Sequence, residues 1–152
     1  MPGIWRALTR NVAETAQAHE DARLRGRTYA IPFEDVWNAA QAVAGVGMRG
    51  WRIVSSDDEE GVIHAESTTL MRRKIDDVSI RITLDRDAQT RVDARSAARA
   101  GRGDLGRNAR RLNRFFHALD RAVVDARRRR LESRPAATPA SGASVVPPHR
   151  ST

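Results

Sequence analysis

Three short runs of this sequence gather residue types able to do chemistry. Asp76, Asp77 and Arg81 fall within IDDVSIRITL, and Asp93, Arg95, Ser96 and Arg99 within RVDARSAAR. Gly101, Asp104, Gly106, Asn108 and Arg111 follow within GRGDLGRNARR. Guanidinium groups flanked by carboxylates suit bidentate recognition of a carboxylate or phosphate, the acids holding the arginines in orientation. Asp76, Asp77 and Asp104, joined by His64 or His117, are also candidate general acids and bases. No nucleophile–base pair is recognisable among them, so catalysis is the less favoured reading.

The glycine run Gly101-Arg102-Gly103-Asp104-Leu105-Gly106 fits G-x-G-x-x-G between a predicted strand and a predicted helix. A dinucleotide site needs a parallel β-α-β unit and an acidic residue on the next strand. Here the helix leads only into an arginine run and a tail, so that reading fails. What survives is an anion held by backbone N–H groups at a helix start, flanked by Arg99, Arg102 and Arg107. Asp104 competes with it, because as N-cap its carboxylate takes the same donors. The acidic run Asp57-Asp58-Glu59-Glu60 places its carboxylates consecutively, whereas calcium loops space them at alternate positions. A solvated turn is the reading adopted, and no metal or cofactor is assigned.

Composition limits the partners. The chain has 152 residues, 40% hydrophobic and 30% charged, with no cysteine and a formal charge of +8. Disulfides and thiolate chemistry are excluded. No apolar run reaches the ~20 residues of a membrane-spanning helix, and the N-terminus lacks a signal peptide's apolar stretch, so a cytoplasmic location is expected. Lys74 is the only lysine, and arginines lie on every predicted element. A codon bias toward arginine explains that scatter; strong basicity still favours anionic partners.

The elements that must position these residues read as one α+β domain. Ile4, Leu8, Val12 and Ala16 recur at helical spacing and predict an N-terminal amphipathic extension over residues 1–26. The domain follows over residues 27–128. Its first strand is Thr28–Ile31. A helix over Phe33–Val46 buries Phe33, Val36, Trp37, Ala40, Val43 and Ala44. Strands follow over Trp51–Ser55, Val62–Ser67, Ile75–Leu84 and Arg91–Arg99. A last helix runs from Asp104 to about Arg128, with Leu105, Ala109, Leu112, Phe116, Leu119 and Val123 buried. Arg127–Arg130 should fray, and the Pro, Ala and Ser content beyond Ser133 predicts a disordered tail. This β-α-β-β-β-β-α order makes an antiparallel sheet of four to five strands with both helices on one face. By alternation Asp77, Arg81, Asp93 and Arg95 lie on the other, open face.

The central stretch resembles the bacterial and plastid family known as domain of unknown function 1499. Members are similar in an Asp-Asp pair entering an arginine-bearing strand, an Arg-Ser-x-Ser-Arg-x-Gly segment and an Asp-x-Gly-x-Asn-x-x-Arg helix start. The matching positions are Asp76, Asp77 and Arg81; Arg95, Ser96, Arg99 and Gly101; and Asp104, Gly106, Asn108 and Arg111. The second serine is Ala98 here. The resemblance spans about residues 28–123 and implies a domain and a site without supplying an activity. The element order is also similar to one half of the TATA-binding protein fold, an analogy of topology.

Three functional classes follow. In the first, the Arg/Asp cluster and glycine turn bind an anionic small molecule or an acidic protein surface, with Arg81 and Arg95 as donors and Asp77 and Asp93 orienting them. In the second, the basic helix and tail neutralise nucleic-acid phosphates. The third is an enzyme of unknown reaction. An open sheet face also suits a homodimer. Set against all of these is a solvent face laced with salt bridges that bind nothing.

Overall fold

The computed structural model describes residues 12–15, 25–69, 71, 73–99 and 105–134. Most of the N-terminal segment, the glycine turn 101–104 and the tail from 135 onward lie outside the described residues.

The alternation read between residues 75 and 99 becomes the centre of the sheet. Strand β5 (Ile75–Leu84) pairs antiparallel with β6 (Thr90–Ala98) through nine residue pairs, from Asp76 opposite Ala98 to Leu84 opposite Thr90. The turn between them is held by the Asp85 carboxylate, whose Oδ1 accepts the Asp87 and Gln89 N–H groups at 2.9 Å each. On the other side β5 pairs with β4 (Val62–Thr68), and β4 with β3 (Trp51–Asp57), which carries a bulge between Ile53 and Ser55. The acidic run forms the β3–β4 turn as read, with the Glu60 N–H donating to Asp57 Oδ1 at 2.9 Å. Gly61 closes it at φ +66°, and its carbonyl accepts the Ile82 N–H at 2.8 Å. A Cβ there would lie 2.2 Å from the Ile82 carbonyl oxygen, so only glycine fits.

Two short strands share the outer edge of β6. Strand β1 (Val12–Glu14) pairs with residues 95–97, and β2 (Arg27–Tyr29) with residues 90–92, both antiparallel. The sheet therefore has six strands rather than four or five, and the order is β-β-α-β-β-β-β-α. The helical spacing read over residues 1–26 does not hold at 12–14, which are extended. The free edge of β6 offers hydrogen-bond partners that a short amphipathic helix cannot match locally. Thr15 prolongs the contact: its N–H donates to the Ala94 carbonyl, and its hydroxyl accepts the Ala94 N–H, both at 2.8 Å.

Both helices cover one face. Helix α1 (Phe33–Ala42) opens after Pro32 with Glu34 and Asp35 in its first turn, where the helix dipole favours acids. It ends in a wider, i→i+5 turn over Val43–Gly47. Helix α2 (Leu105–Glu132) runs antiparallel beside it, so that Arg130 in its last turns bonds Asp35 at 2.5 Å. That pair, with arginine's good helix propensity, carries the helix through Arg127–Arg130, where fraying was expected. Between sheet and helices lie Ile63, Val78, Ile80, Ile82, Val92, Val36, Trp37, Leu112, Phe116 and Leu119, all buried. Phe115 joins them, fully buried and stacked on Trp51 with centroids 5.6 Å apart. Leu84, at the last position of β5, is 58% exposed.

Candidate functional site

The family-like residues separate onto the two faces of the sheet. Asp76 and Ser96 point to the helix side, in line with Val78 and Ala94, and both are buried. Asn108 and Arg111, three apart on α2, face them. Arg111 Nη2 donates to Asp76 Oδ2 at 2.5 Å, while Nη1 donates to Ser96 Oγ at 2.9 Å and to Asn108 Oδ1 at 2.5 Å. The Ser96 hydroxyl donates to the same Asn108 oxygen at 3.2 Å. The small residues of β6, Ala94 and Ser96, let the helix approach closely. Burial pulls the Arg111 pKa down, the Asp76 carboxylate opposes that fall, and the neighbouring charges of Arg107 and Arg114 add to it. These four groups form a buried clasp that ties the start of α2 to β5 and β6.

The other face is open and charged, as alternation had placed it. Arg99, just past β6, reaches across the ladder: Nη2 donates to Asp77 Oδ1 at 2.5 Å and to Glu66 Oε1 at 2.7 Å. Arg52 Nη2 donates to the other Glu66 oxygen at 2.6 Å. These two guanidinium groups hold the Glu66 carboxyl below its ordinary range, and hydrogen bonds to Asp77 and Glu66 push Arg99 upward. Arg91 forms a fork on Asp93, Nε to Oδ2 at 2.6 Å and Nη2 to Oδ1 at 2.7 Å, and the Thr15 hydroxyl donates to Asp93 Oδ1 at 3.2 Å. Arg95 is near Glu14 at 3.9 Å, both side chains well exposed.

Arg81 differs from its neighbours. Asp93 lies directly opposite it across the ladder, but that carboxylate is taken by Arg91 and Thr15. Among the described residues Arg81 has no carboxylate partner. It lines a depression of about 460 Å³ together with Ser55, Asp57, Glu60, His64 and Ser79. His64, Ser79 and Arg95 form one cross-strand row, with Arg81 one same-face step along β5.

The expected site residues thus do not form one cluster. Asp76, Ser96, Asn108 and Arg111 meet under the sheet; Asp77, Arg81, Asp93, Arg95 and Arg99 spread over the open face. Gly106 is half-buried in the first turn of α2, while Gly101 and Asp104 lie outside the described residues. Arg99 and Asn108 point to opposite sides. Among the described residues, no group of three or more His, Cys, Asp or Glu side chains is placed to hold a metal ion.

Sequence comparison adds the lineage. A family model described as protein of unknown function (DUF1499) matches residues 8–119. The chain belongs to the DUF1499 family. A search of curated proteins found no match. Within this DUF1499 chain the family-like pattern has a double content. Asp76, Ser96, Asn108 and Arg111 make the clasp, whereas Asp77 and Arg99 join the ion-pair chain above it. Glu66, Arg52 and Thr15 escaped sequence reading because their partners come from other strands; Arg91 pairs with Asp93 two residues along its own strand.

A third polar group ties β2 to α2. The Tyr29 hydroxyl donates to Asp120 Oδ1 at 2.7 Å, Arg27 Nε lies 3.5 Å from Asp120 Oδ2, and the Arg27 guanidinium sits 5.1 Å over the Phe116 ring. Burial, then the bond to Asp120 and its charge, push the phenol pKa far above its ordinary value. An unfolded tyrosine ionises near ~10. Stability from this group is therefore complete below pH ~10 and declines as pH rises toward the folded-state pKa. Tyr29 is the only tyrosine. An ultraviolet titration should show no tyrosinate at pH ~11 while the chain stays folded, and its appearance together with unfolding. Ionisation near pH ~10 in the intact fold would count against the buried bond.

Proposed function

We propose that this protein is a small, non-catalytic binding domain whose open sheet face takes an acidic group, carried by a small molecule or a partner protein. The observation carrying this reading is the uncommitted guanidinium of Arg81, set in a depression whose neighbouring arginines are already neutralised. Bidentate donation to a carboxylate or phosphate is the chemistry a free guanidinium offers. His64, Ser55 and Ser79 add donors at the same depression, and Arg95 borders it. Asp57 and Glu60 on the rim disfavour a ligand of uniform negative charge. They favour a compact anionic group accompanied by hydroxyl or cationic groups.

The test is a thermal-shift panel of inorganic phosphate, phosphate esters, amino acids and dicarboxylates on the wild type and on Arg81→Ala. A ligand at 100 times its Kd stabilises by ~2.7 kcal/mol, a rise on the order of 10 °C for a domain of this size. The expected result is one saturable rise that Arg81→Ala abolishes and Arg52→Ala keeps. Equal rises in all three proteins, or none with any member of the panel, would overturn the reading.

A further inference from the structure

The solvent side of α2 carries a second cationic feature, on the opposite layer from the open sheet face. Helix positions alternately four and three apart fall on one stripe. On α2 that stripe presents Arg110, Arg114, His117, Arg121 and Arg128, all exposed. At 1.5 Å per residue the span from Arg110 to Arg128 is ~27 Å. Val124 and Leu131 occupy the remaining positions, 57% and 63% exposed. The nearby acids are few: Asp125 flanks the stripe, Glu132 ends it, and Asp120 is turned away toward Tyr29.

We propose that this stripe docks α2 lengthwise on an anionic lipid surface. A straight row of arginines on a rigid helix meets a plane along its whole length, and guanidinium groups pair well with phosphate headgroups. Val124 and Leu131 decide between polyanions. At a bilayer they reach the boundary between headgroups and acyl chains, where burial stabilises them. Against a sugar–phosphate backbone they would meet only polar surface. No aromatic side chain among the described residues is exposed enough to stack on bases.

The test uses the full chain and sedimentation with vesicles of phosphatidylcholine, with and without phosphatidylglycerol. Partition is expected only with the anionic lipid. The double variant Arg114→Gln/Arg121→Gln should weaken it about 30-fold, since each arginine near such a surface contributes ~1 kcal/mol. Val124→Ser/Leu131→Ser should weaken it about tenfold. All four positions are exposed, so both variants should melt with the wild type. The proposal is overturned by absent vesicle binding, by vesicle binding that the serine pair leaves unchanged, or by tighter binding to a DNA duplex than to vesicles.

Discussion

Arg111→Ala is expected to cost the fold about 3–5 kcal/mol, the loss found when one partner of a buried ion pair is removed. Arg111 is 4% exposed and Asp76 1% exposed, so deleting the cation leaves a buried carboxylate without its partner. Ser96 and Asn108 lose a donor at the same time. A domain of this size has about 5–15 kcal/mol to lose, so the variant should sit near its unfolding threshold. Asp76→Ala should cost a similar amount by orphaning the cation. The double replacement Asp76→Val/Arg111→Met removes both charges and leaves Ser96 bonded to Asn108. It should regain most of the loss, so that urea unfolding of the four proteins gives a large coupling energy. Additive single losses would mean that the clasp is not a unit.

Phe115→Ala should cost about 3–5 kcal/mol through the cavity it leaves. The ring is wholly buried, stacked on Trp51 with planes 8° apart and set edge-on to Phe116 at 5.3 Å. Trp51 begins β3, so this ring joins the far strand of the sheet to the middle of α2. Trp51 emission should shift to longer wavelength as its stacking partner goes and water enters. Phe115→Leu, which keeps most of the volume, should recover much of the stability but not the stacking. A loss well under ~2 kcal/mol for alanine would mean that Trp51 and α1 collapse into the gap.

The clasp bears on function through placement. It sets the start of α2 on β5 and β6, and α2 in turn holds β2 through Asp120 and α1 through Arg130. A domain so fixed from beneath can keep its upper face open, with Arg91, Arg99 and Arg52 each occupied and Arg81 left free.

Local periodicity determined what could be read in advance. Strict alternation in Ile75–Leu84 placed Asp77 and Arg81 on one face and Val78, Ile80 and Ile82 on the other, because a strand's side chains have no third choice. The 3.6-residue period placed Ala109, Leu112, Phe116, Leu119 and Val123 inside for the same reason. Phe115 was missed because a wide buried face admits adjacent positions, and its width depends on what packs against it. The N-terminal segment misled: the four-residue spacing of Ile4, Leu8, Val12 and Ala16 is local, whereas Val12–Glu14 answers to an edge more than 80 residues away in the chain. The candidate site was legible as a set of residues but not as an arrangement. Alternation alone puts Asp76 inside and Asp77 outside, yet only the crossing of α2 shows that a buried arginine is there to meet Asp76. Likewise register alone sets Arg81 opposite Asp93. Only the folded structure shows that Asp93 turns to Arg91, a same-face neighbour on its own strand, and to Thr15 beyond β1, so that Arg81 has no carboxylate partner among the described residues.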